Sequence, residues 1–409
     1  MAQTATRIAT GRTKFTAKAA PSAEILLERA RSLVPFLREK SDEINASRRV
    51  TEEVWQRLVD AGLVELLRPA RFGGVDAPME LMLRIGQELA VGDGSVGWVY
   101  VVLSSHDQFL SFFPAHVQEE VWSSACPTSA SSYNPTGKGS AAPGGLRLTG
   151  RWSFCSGIDF CGWAVVGAIV GMLPGEKPMP DFRYCLVHKS QYEVVDDWHV
   201  MGLCGSGSKS IVMNDVFVPD ERIVTGVQIV TNTTPGVGVH EAPIYRAPGF
   251  STFIFAFPSV AVGIVRGAYE SMKSDMQGRA ARHDPMFELG RPAVQMHLAE
   301  ASAMIDASRL LLDRAMDETF RQAHQEGTVS LPLRVRNRRD TVYLVINARR
   351  AAEMLMSMAG GRGILTGGRV QRALRDVYAV SMHPTLNWDV QSLSFGAVEL
   401  GGQATDPVL

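Results

Sequence analysis

The N-terminal part of the chain carries apolar residues at the spacing of amphipathic helices. In the first such segment these positions are Ile25, Leu26, Leu33, Leu37 and Ile44. Thr51 is the expected N-cap of a second helix, and Gly62 is its expected C′ residue. The sequence Asp93-Gly94-Ser95 opens a further helix that runs past His106. The pattern predicts a helical region over residues 22–122.

The period of the pattern changes to two between residues 127 and 219. Residues 146–154 largely alternate apolar and polar side chains, which is typical of a half-buried strand. Residues 163–170 form a continuous apolar run, as in a buried strand. Glycines and prolines separate these segments from shorter strands. The pattern predicts a small antiparallel β-domain in the middle of the chain.

Helical spacing returns from residue 248 onward. One long helix is predicted from apolar residues at Ala293, Met296, Ala299, Met304, Leu311 and Leu312. Another is predicted over residues 342–358, and Gly360-Gly361 ends it. His383 precedes Pro384, and the residue before a proline avoids helical backbone geometry. We therefore expect His383 to lie at a break between two helices, where a side chain can point into a cavity.

These changes of period predict an α+β protein with four segments. Residues 1–20 are predicted to be a flexible tail, because they carry basic residues and no acid and lack a clear amphipathic helix. The rest divides into an N-terminal helical domain over 21–125, a β-barrel-like domain over 126–225 and a C-terminal helical bundle over 226–409.

Composition narrows the class of protein. The formal net charge of -1 gives no long-range field that would attract nucleic acid or an anionic membrane. The longest apolar candidate, Phe250 to Val265, is interrupted by Pro258 and falls short of the about 20 residues that span a bilayer. The five cysteines are odd in number and contain no CxxC pair, which argues against a disulfide framework and a metal site. We expect a cytoplasmic protein with reduced cysteines.

Four strings of residues resemble the acyl-CoA dehydrogenase fold in their order along the chain. They are Arg-Phe-Gly-Gly at 71–74, Gly-Arg-Trp-Ser-Phe-Cys-Ser-Gly at 150–157, Asp-Val-Phe-Val-Pro at 215–219 and Gly-Gly-Arg-Gly at 360–363. Within that fold the chain is most similar to the oxygenase components of two-component flavin monooxygenases, such as 4-hydroxyphenylacetate hydroxylase. The resemblance covers about residues 22–402 and implies a helical domain, an antiparallel β-domain and a helical bundle.

The resemblance also implies a set of residues at the cofactor. Ser156 holds the place of the hydroxyl that contacts flavin N5, and Phe154 holds the place of the aromatic residue against the flavin. Trp98 and His106, eight residues apart, match a tryptophan and a histidine that line the flavin and substrate pocket. The glycine-rich segment 202–210 lacks the Walker pattern, and the resemblance implies that it shapes the flavin face.

Two further residues are implied at the substrate. Ser132 is the match of a serine near the substrate in these relatives, and His383 matches an imidazole on the last helical segment. Dehydrogenases of this fold abstract a proton with a glutamate, which the C-terminal site region here lacks. Histidine titrates in the range needed to take a proton from a phenol. We therefore expect His383 to be the base that activates or orients the substrate, with His106 and Ser132 positioning it. His106, Ser156 and His383 are the expected catalytic residues, and His106, Ser132 and His383 are the expected substrate-binding residues.

The implied function is oxygen insertion into an aromatic small molecule. No Rossmann glycine motif follows a first strand, so reduced FMN or FADH2 is expected from a separate reductase. Reduced flavin and O2 would then react through a C4a-hydroperoxyflavin, and phenolic and indolic rings both stay open as substrates. The resemblance also implies a homotetramer built through the C-terminal bundle. Alternatives are sulfur or nitrogen oxygenation, an acyl-CoA dehydrogenase and a non-catalytic helical scaffold.

Overall fold

A computed structural model describes residues 21–175, 179–245, 249–282 and 291–406 of the chain. The tail predicted for residues 1–20 lies outside the described residues. The element order is helices, then a sheet, then helices, and this agrees with the predicted α+β class. Buried apolar residues from all three regions form one continuous core.

Residues 21–125 contain five α-helices. They are α1 (Ala23–Ser47), α2 (Glu52–Asp60), α3 (Met79–Gly92), α4 (Gly94–Leu110) and α5 (Ala115–Trp122). The predicted cap at Thr51 is confirmed, because its hydroxyl accepts the Val54 N–H at 3.4 Å. The helix predicted to open at Asp93-Gly94-Ser95 begins at Gly94, and the Asp93 carboxylate accepts the Val96 N–H at 3.0 Å. All 17 residues of α4 are buried, since it packs against α3, the sheet and the C-terminal bundle.

The described residues of the middle region form one sheet of seven strands. They are β1 (Ser129–Ala142), β2 (Gly145–Cys155), β3 (Trp163–Leu173), β4 (Met179–His188), β5 (Glu193–Val195), β6 (Lys209–Pro219) and β7 (Ile223–Thr225), in the order β5-β6-β2-β1-β3-β4-β7. The prediction of a purely antiparallel domain is corrected at one place, since β1 and β3 are parallel. The reason is topological. β1 and β2 form a hairpin, so β3 starts at the end of the sheet where β1 starts and pairs with the free side of β1.

The C-terminal region is a helical bundle. It contains α6 (Gly226–Val230), α7 (Gly249–Thr252), α8 (Ala256–Arg282), α9 (Pro292–Glu326), α10 (Leu331–Met358), α11 (Arg369–Ser381) and α12 (Trp388–Glu399). His383 follows α11 and precedes α12, which confirms the predicted break at that residue.

Helix α8 is the centre of this bundle and packs closely on α3. A Cβ at Gly263 would lie 2.2 Å from the Gln87 carbonyl oxygen, and one at Gly267 would lie 2.4 Å from that of Val91. Only glycine permits this approach of the two backbones. The segment Gly249–Gly278 is long and apolar enough to cross a membrane, but 72% of its most apolar window is buried within the protein. That burial is typical of the core helix of a globular protein.

Candidate active site

Helix α4 carries two of the predicted site residues. Trp98 and His106 are eight residues apart, which separates them by about 12 Å along the helix axis. Each is the centre of a separate group of side chains. We call Trp98, Ser156, Phe257 and His383 the flavin-side cluster, and His106, Ser129 and Ser131 the His106 cluster.

The flavin-side cluster contains three rings in mutual contact, of which Trp98 and Phe257 are stacked and His383 is tilted. The Trp98 ring lies 4.6 Å from that of Phe257 between centroids, and the Phe257 ring lies 3.9 Å from that of His383. Phe257 in α8 therefore links two residues that are far apart in sequence. It was not predicted as a site residue. The available signal was Phe253 and Phe257 one helical turn apart, which places both rings on the same face.

Hydroxyl groups complete the flavin-side cluster. The Trp98 indole N–H donates a hydrogen bond to the Ser156 hydroxyl at 2.9 Å. The Ser156 hydroxyl oxygen lies 2.7 Å from that of Ser208, which lies 2.8 Å from that of Ser206. The Gly157 N–H also donates to the Ser206 carbonyl at 3.0 Å, so the glycine-rich loop before β6 is fixed to the end of β2. Sequence reasoning assigned this loop to the flavin face but did not single out its serines.

Phe154 presents an exposed aromatic surface beside Ser156. Its φ angle is 66°, which is unusual for a bulky residue and costs about 1–3 kcal/mol. The side chain is 70% exposed, and its ring packs edge-on against Trp198 at 5.9 Å between centroids. Met201, in the segment between β5 and β6, is also exposed. A strained backbone that holds an uncovered ring next to a buried hydroxyl fits a planar ligand such as an isoalloxazine.

The hydrogen bonds of His106 determine its tautomer. Nδ1 lies 2.5 Å from the Ser129 carbonyl oxygen, which can only accept, so Nδ1 carries the proton. Nε2 is therefore an acceptor, and it receives the Ser131 hydroxyl at 2.9 Å. The ring is completely buried, and this burial lowers the pKa of His106 to about 4. His106 is thus a neutral imidazole whose basic nitrogen faces Ser131.

The structure brings Ser131 to His106, whereas the predicted Ser132 lies elsewhere. The Ser132 hydroxyl donates to the Ser153 carbonyl at 2.8 Å, because neighbouring strand residues point to opposite faces. Ser131 is partly exposed and His106 is not, so a ligand on this side meets Ser131 first. The alternation along β1 was the signal that could have separated the two serines. A substrate role for Ser132 stays a prediction.

His383 is held by the turn that follows it. Its Nδ1 accepts the Thr385 backbone N–H at 3.3 Å and lies 2.8 Å from the Thr385 hydroxyl oxygen. Neutral His383 therefore carries its proton on Nε2. Burial and, to a smaller extent, the nearby Arg338 guanidinium lower the pKa of His383 to about 3. The sequence-predicted pair His383 and Trp98 meets directly, with ring centroids 6.1 Å apart.

A small cavity lies beside α4 and is bordered by Tyr133 of β1. It has a volume of about 20 Å³, which is room for one water and not for an aromatic ring. Its lining is formed by Ser105, Gln108, Phe109, Phe112, Tyr133, Gly249, Phe250 and Phe253. A Cβ at Gly249 would lie 2.7 Å from Phe112, so glycine keeps this space open. A ring could enter only if the aromatic side chains moved.

Known proteins match this fold and sequence. The acyl-CoA dehydrogenase C-terminal domain model matches residues 255–388. The FADH(2)-dependent resorcinol hydroxylase oxygenase component of Rhizobium sp. (strain MTP-10005) is 32% identical over 388 residues, covering 92% of this chain and 94% of that protein. The flavin-dependent monooxygenase oxygenase subunit HsaA of Rhodococcus jostii (strain RHA1) is 30% identical over 392 residues, covering 94% and 100%. The crystal structure of 3-HSA hydroxylase from Rhodococcus sp. RHA1 has a TM-score of 0.88 at 30% identity, covering 94% and 98%.

The fold and the site define a flavin enzyme of the acyl-CoA dehydrogenase type. Identity above 30% along nearly the whole length places it more narrowly. The chain belongs to the family of reduced-flavin-dependent oxygenase components of two-component monooxygenases. The predicted family, fold, enzyme class and dependence on reduced flavin are thereby confirmed.

Proposed function

We propose that this protein takes reduced flavin from a separate reductase and uses O2 to hydroxylate a phenolic ring. The observation that carries the proposal is the His106 cluster, an oriented neutral base with a hydroxyl in front of it. The names of the relatives support a phenolic substrate, since one is a resorcinol hydroxylase. The bound reduced flavin would supply the oxygen chemistry, through its C4a-hydroperoxide.

The flavin-side cluster has the donors and surfaces that such a cofactor needs. Ser156 offers a buried hydroxyl to flavin N5, and Trp98 fixes the position of that hydroxyl. Phe154 offers an exposed ring to the flavin plane, and Trp198 packs edge-on against that ring and holds it in place. The buried rings of Trp98 and Phe257 keep water away from the reacting face, which protects an oxygen adduct from decay.

The pKa values decide how His106 acts on a phenol. A phenol has a pKa of about 10 in water, and burial lowers the pKa of His106 to about 4, so the neutral pair is favoured over a phenolate–imidazolium pair in the resting site. A preformed phenolate is therefore not expected. The transfer instead becomes favourable as oxygen attacks. The attack removes electron density from the ring, and this makes the phenolic O–H a much stronger acid. The proton moves from the phenol to Ser131 while the Ser131 proton moves to Nε2 of His106.

His383 fits a different role in this scheme. With Nδ1 engaged by Thr385, the proton on Nε2 makes His383 a hydrogen-bond donor. It would orient the substrate or the leaving oxygen beside the flavin. The sequence-based expectation that His383 is the base has not been tested. We propose His106 as the base instead.

We also infer that a second copy of the chain covers the bundle. Met296 and Leu310 on α9, Tyr343 on α10 and Leu393 on α12 are large apolar side chains that are exposed in the single chain. Large exposed apolar surfaces mark contacts with other chains. This supports the homotetramer that the resemblance implies. Light scattering at micromolar concentration tests it, and a stable monomer would contradict it.

The function is tested by anaerobic mixing of the protein with FMNH2 or FADH2, followed by O2 and resorcinol. We expect a transient flavin–oxygen adduct in the absorbance spectrum, and then a hydroxylated product. The protein alone should not oxidise NADH. Oxidation of NADH without a reductase would contradict the two-component function, and an adduct that never oxygenates a phenol would contradict the phenolic substrate.

A further inference from the structure

The hydroxyl of Ser156 has two neighbours whose hydrogen-bonding abilities differ. The Trp98 indole nitrogen can only donate, and it does so at 2.9 Å. The Ser208 hydroxyl, 2.7 Å away, can donate or accept. Trp98, Ser156, Ser206 and Ser208 are all at most 8% exposed, so bulk water does not replace these contacts.

The number of protons and lone pairs on Ser156 limits what it can offer a cofactor. A hydroxyl has one proton and two lone pairs. Trp98 uses one lone pair permanently. One lone pair and one proton remain, and they are shared between Ser208 and whatever faces Ser156 from the flavin side. If the flavin takes the lone pair, the Ser156 proton needs Ser208.

Flavin N5 changes its hydrogen-bonding character with the redox state of the ring. Oxidised flavin has a bare N5 that accepts a hydrogen bond, whereas reduced flavin carries a proton on N5 and donates one. Ser156 would therefore give its proton to oxidised flavin and its lone pair to reduced flavin. Only in the reduced state does the Ser156 proton have to turn to Ser208.

We propose that Ser208 is the residue by which this protein distinguishes reduced from oxidised flavin. Ser208 accepts the Ser156 proton when N5–H occupies Ser156, and Ser206 at 2.8 Å accepts in turn from Ser208. This inference rests on the proposed function, in which Ser156 meets flavin N5. Ser208 does not need to touch the cofactor, so it is a positioning residue for the bound state of the flavin.

The test is the affinity of Ser208→Ala for both redox states of FMN and FAD, measured by anaerobic titration. Without Ser208 the reduced state leaves a buried proton unpaired, which typically weakens binding by about tenfold. Binding of oxidised flavin should change less than about twofold, since Ser156 then donates to N5. A tenfold selective loss also lowers the two-electron potential of the bound flavin by about 30 mV.

Three further variants separate positioning from structure. Ser208→Thr keeps a hydroxyl and should restore the affinity for reduced flavin. Ser208→Cys keeps a side chain of similar size with only a weak acceptor, and it replaces the alanine variant if that variant folds poorly. It should shift the ratio of the affinities for reduced and oxidised flavin in the same direction. Ser153→Ala removes a hydroxyl that receives Ser210 at 3.0 Å on the neighbouring strand, outside this chain of serines, and should leave both affinities unchanged.

The outcomes are distinct. Equal weakening of both redox states in Ser208→Ala, or no change in either, would overturn the inference. A wild-type protein that binds neither form of flavin would instead remove the proposed function on which the inference rests.

Discussion

The flavin-side cluster and the His106 cluster lie on the same helix but are assembled from different numbers of chain segments. The His106 cluster needs only α4 and three consecutive residues of β1, and a carbonyl fixes the direction of its hydrogen bonds. The flavin-side cluster draws on α4, the end of β2, the loop before β6, the start of α8 and the break at His383. Its serine hydroxyls can reverse direction. A fixed hydrogen-bond direction suits a base, whereas a reversible direction suits a cofactor whose N5 is protonated in only one redox state.

The largest effect is expected from removing the base. His106→Gln should lower hydroxylation by about 10²–10⁴-fold while the flavin–oxygen adduct still forms and releases peroxide. Product yield per reduced flavin measures this. His240→Gln is the matched control. His240 is also a buried histidine with a pKa lowered to about 4, its Nε2 lies 2.5 Å from the Gln118 side-chain oxygen, and it belongs to neither cluster. Equal loss in both variants would show that His106 is only structural.

A smaller effect separates the two serines of β1. Ser131→Ala should lower hydroxylation by about tenfold or more, because it removes the hydroxyl between the substrate and His106. Ser132→Ala should change the rate by less than about twofold, since its hydroxyl bonds a strand carbonyl. Rates with resorcinol under saturating reduced flavin check this. The reverse order of the two variants would restore the sequence-predicted role of Ser132.

His383 belongs to the flavin-side cluster, and its variants test what that cluster contributes to the reaction. His383→Ala should lower product yield and raise peroxide release by about tenfold, as the Nε2–H donor is lost. His383→Gln can place an amide N–H near that position and should recover part of the yield. If glutamine is no better than alanine while the rate rises with pH, His383 acts as the base.

The smallest expected effect is a change in stability at Asp376, which lies beside the N-terminal cap of the helix that both clusters share. Asp376 accepts the Leu203 N–H at 2.6 Å and faces Asp93, the cap of α4. Burial, and then the Asp93 carboxylate, raise the pKa of Asp376 to about 7, although Arg375 and Arg372 oppose this.

An unfolded aspartate titrates near pH 4, so the unfolded state loses its proton first as pH rises. The contribution of the protonated carboxyl to the free energy of unfolding is complete below about pH 4, and it is lost as the pH rises through about 7. Asp376→Asn should therefore stabilise the protein by on the order of 1–2 kcal/mol at pH 8 and far less at pH 4. Denaturant unfolding at both pH values measures the difference. A gain that is the same at both values would contradict the raised pKa.

The features that sequence predicted best are those set by a few neighbouring residues. The caps at Thr51 and Asp93 follow from one side chain and the next turn of helix. The break at His383 follows from Pro384. Trp98, Ser156 and His383 were named because residue type and order resemble a family, and the structure brings these three together.

Contacts between distant segments were not predictable from local pattern. Phe257 joins Trp98 to His383 only because α8 crosses α4 at that level. Ser208 reaches Ser156 across 52 positions through the loop before β6. The choice of Ser131 over Ser132 depends on the register of β1 against β3, which a single residue of slip would reverse.

The division of roles between the two clusters is tested most directly by stopped-flow absorbance on Ser131→Ala and Ser156→Ala. Both variants are loaded with reduced flavin and mixed with O2, with and without resorcinol. We expect Ser156→Ala to shorten the lifetime of the flavin–oxygen adduct without resorcinol, and Ser131→Ala to leave that lifetime unchanged while slowing only the step that resorcinol accelerates. Loss of the same step in both variants would contradict the account.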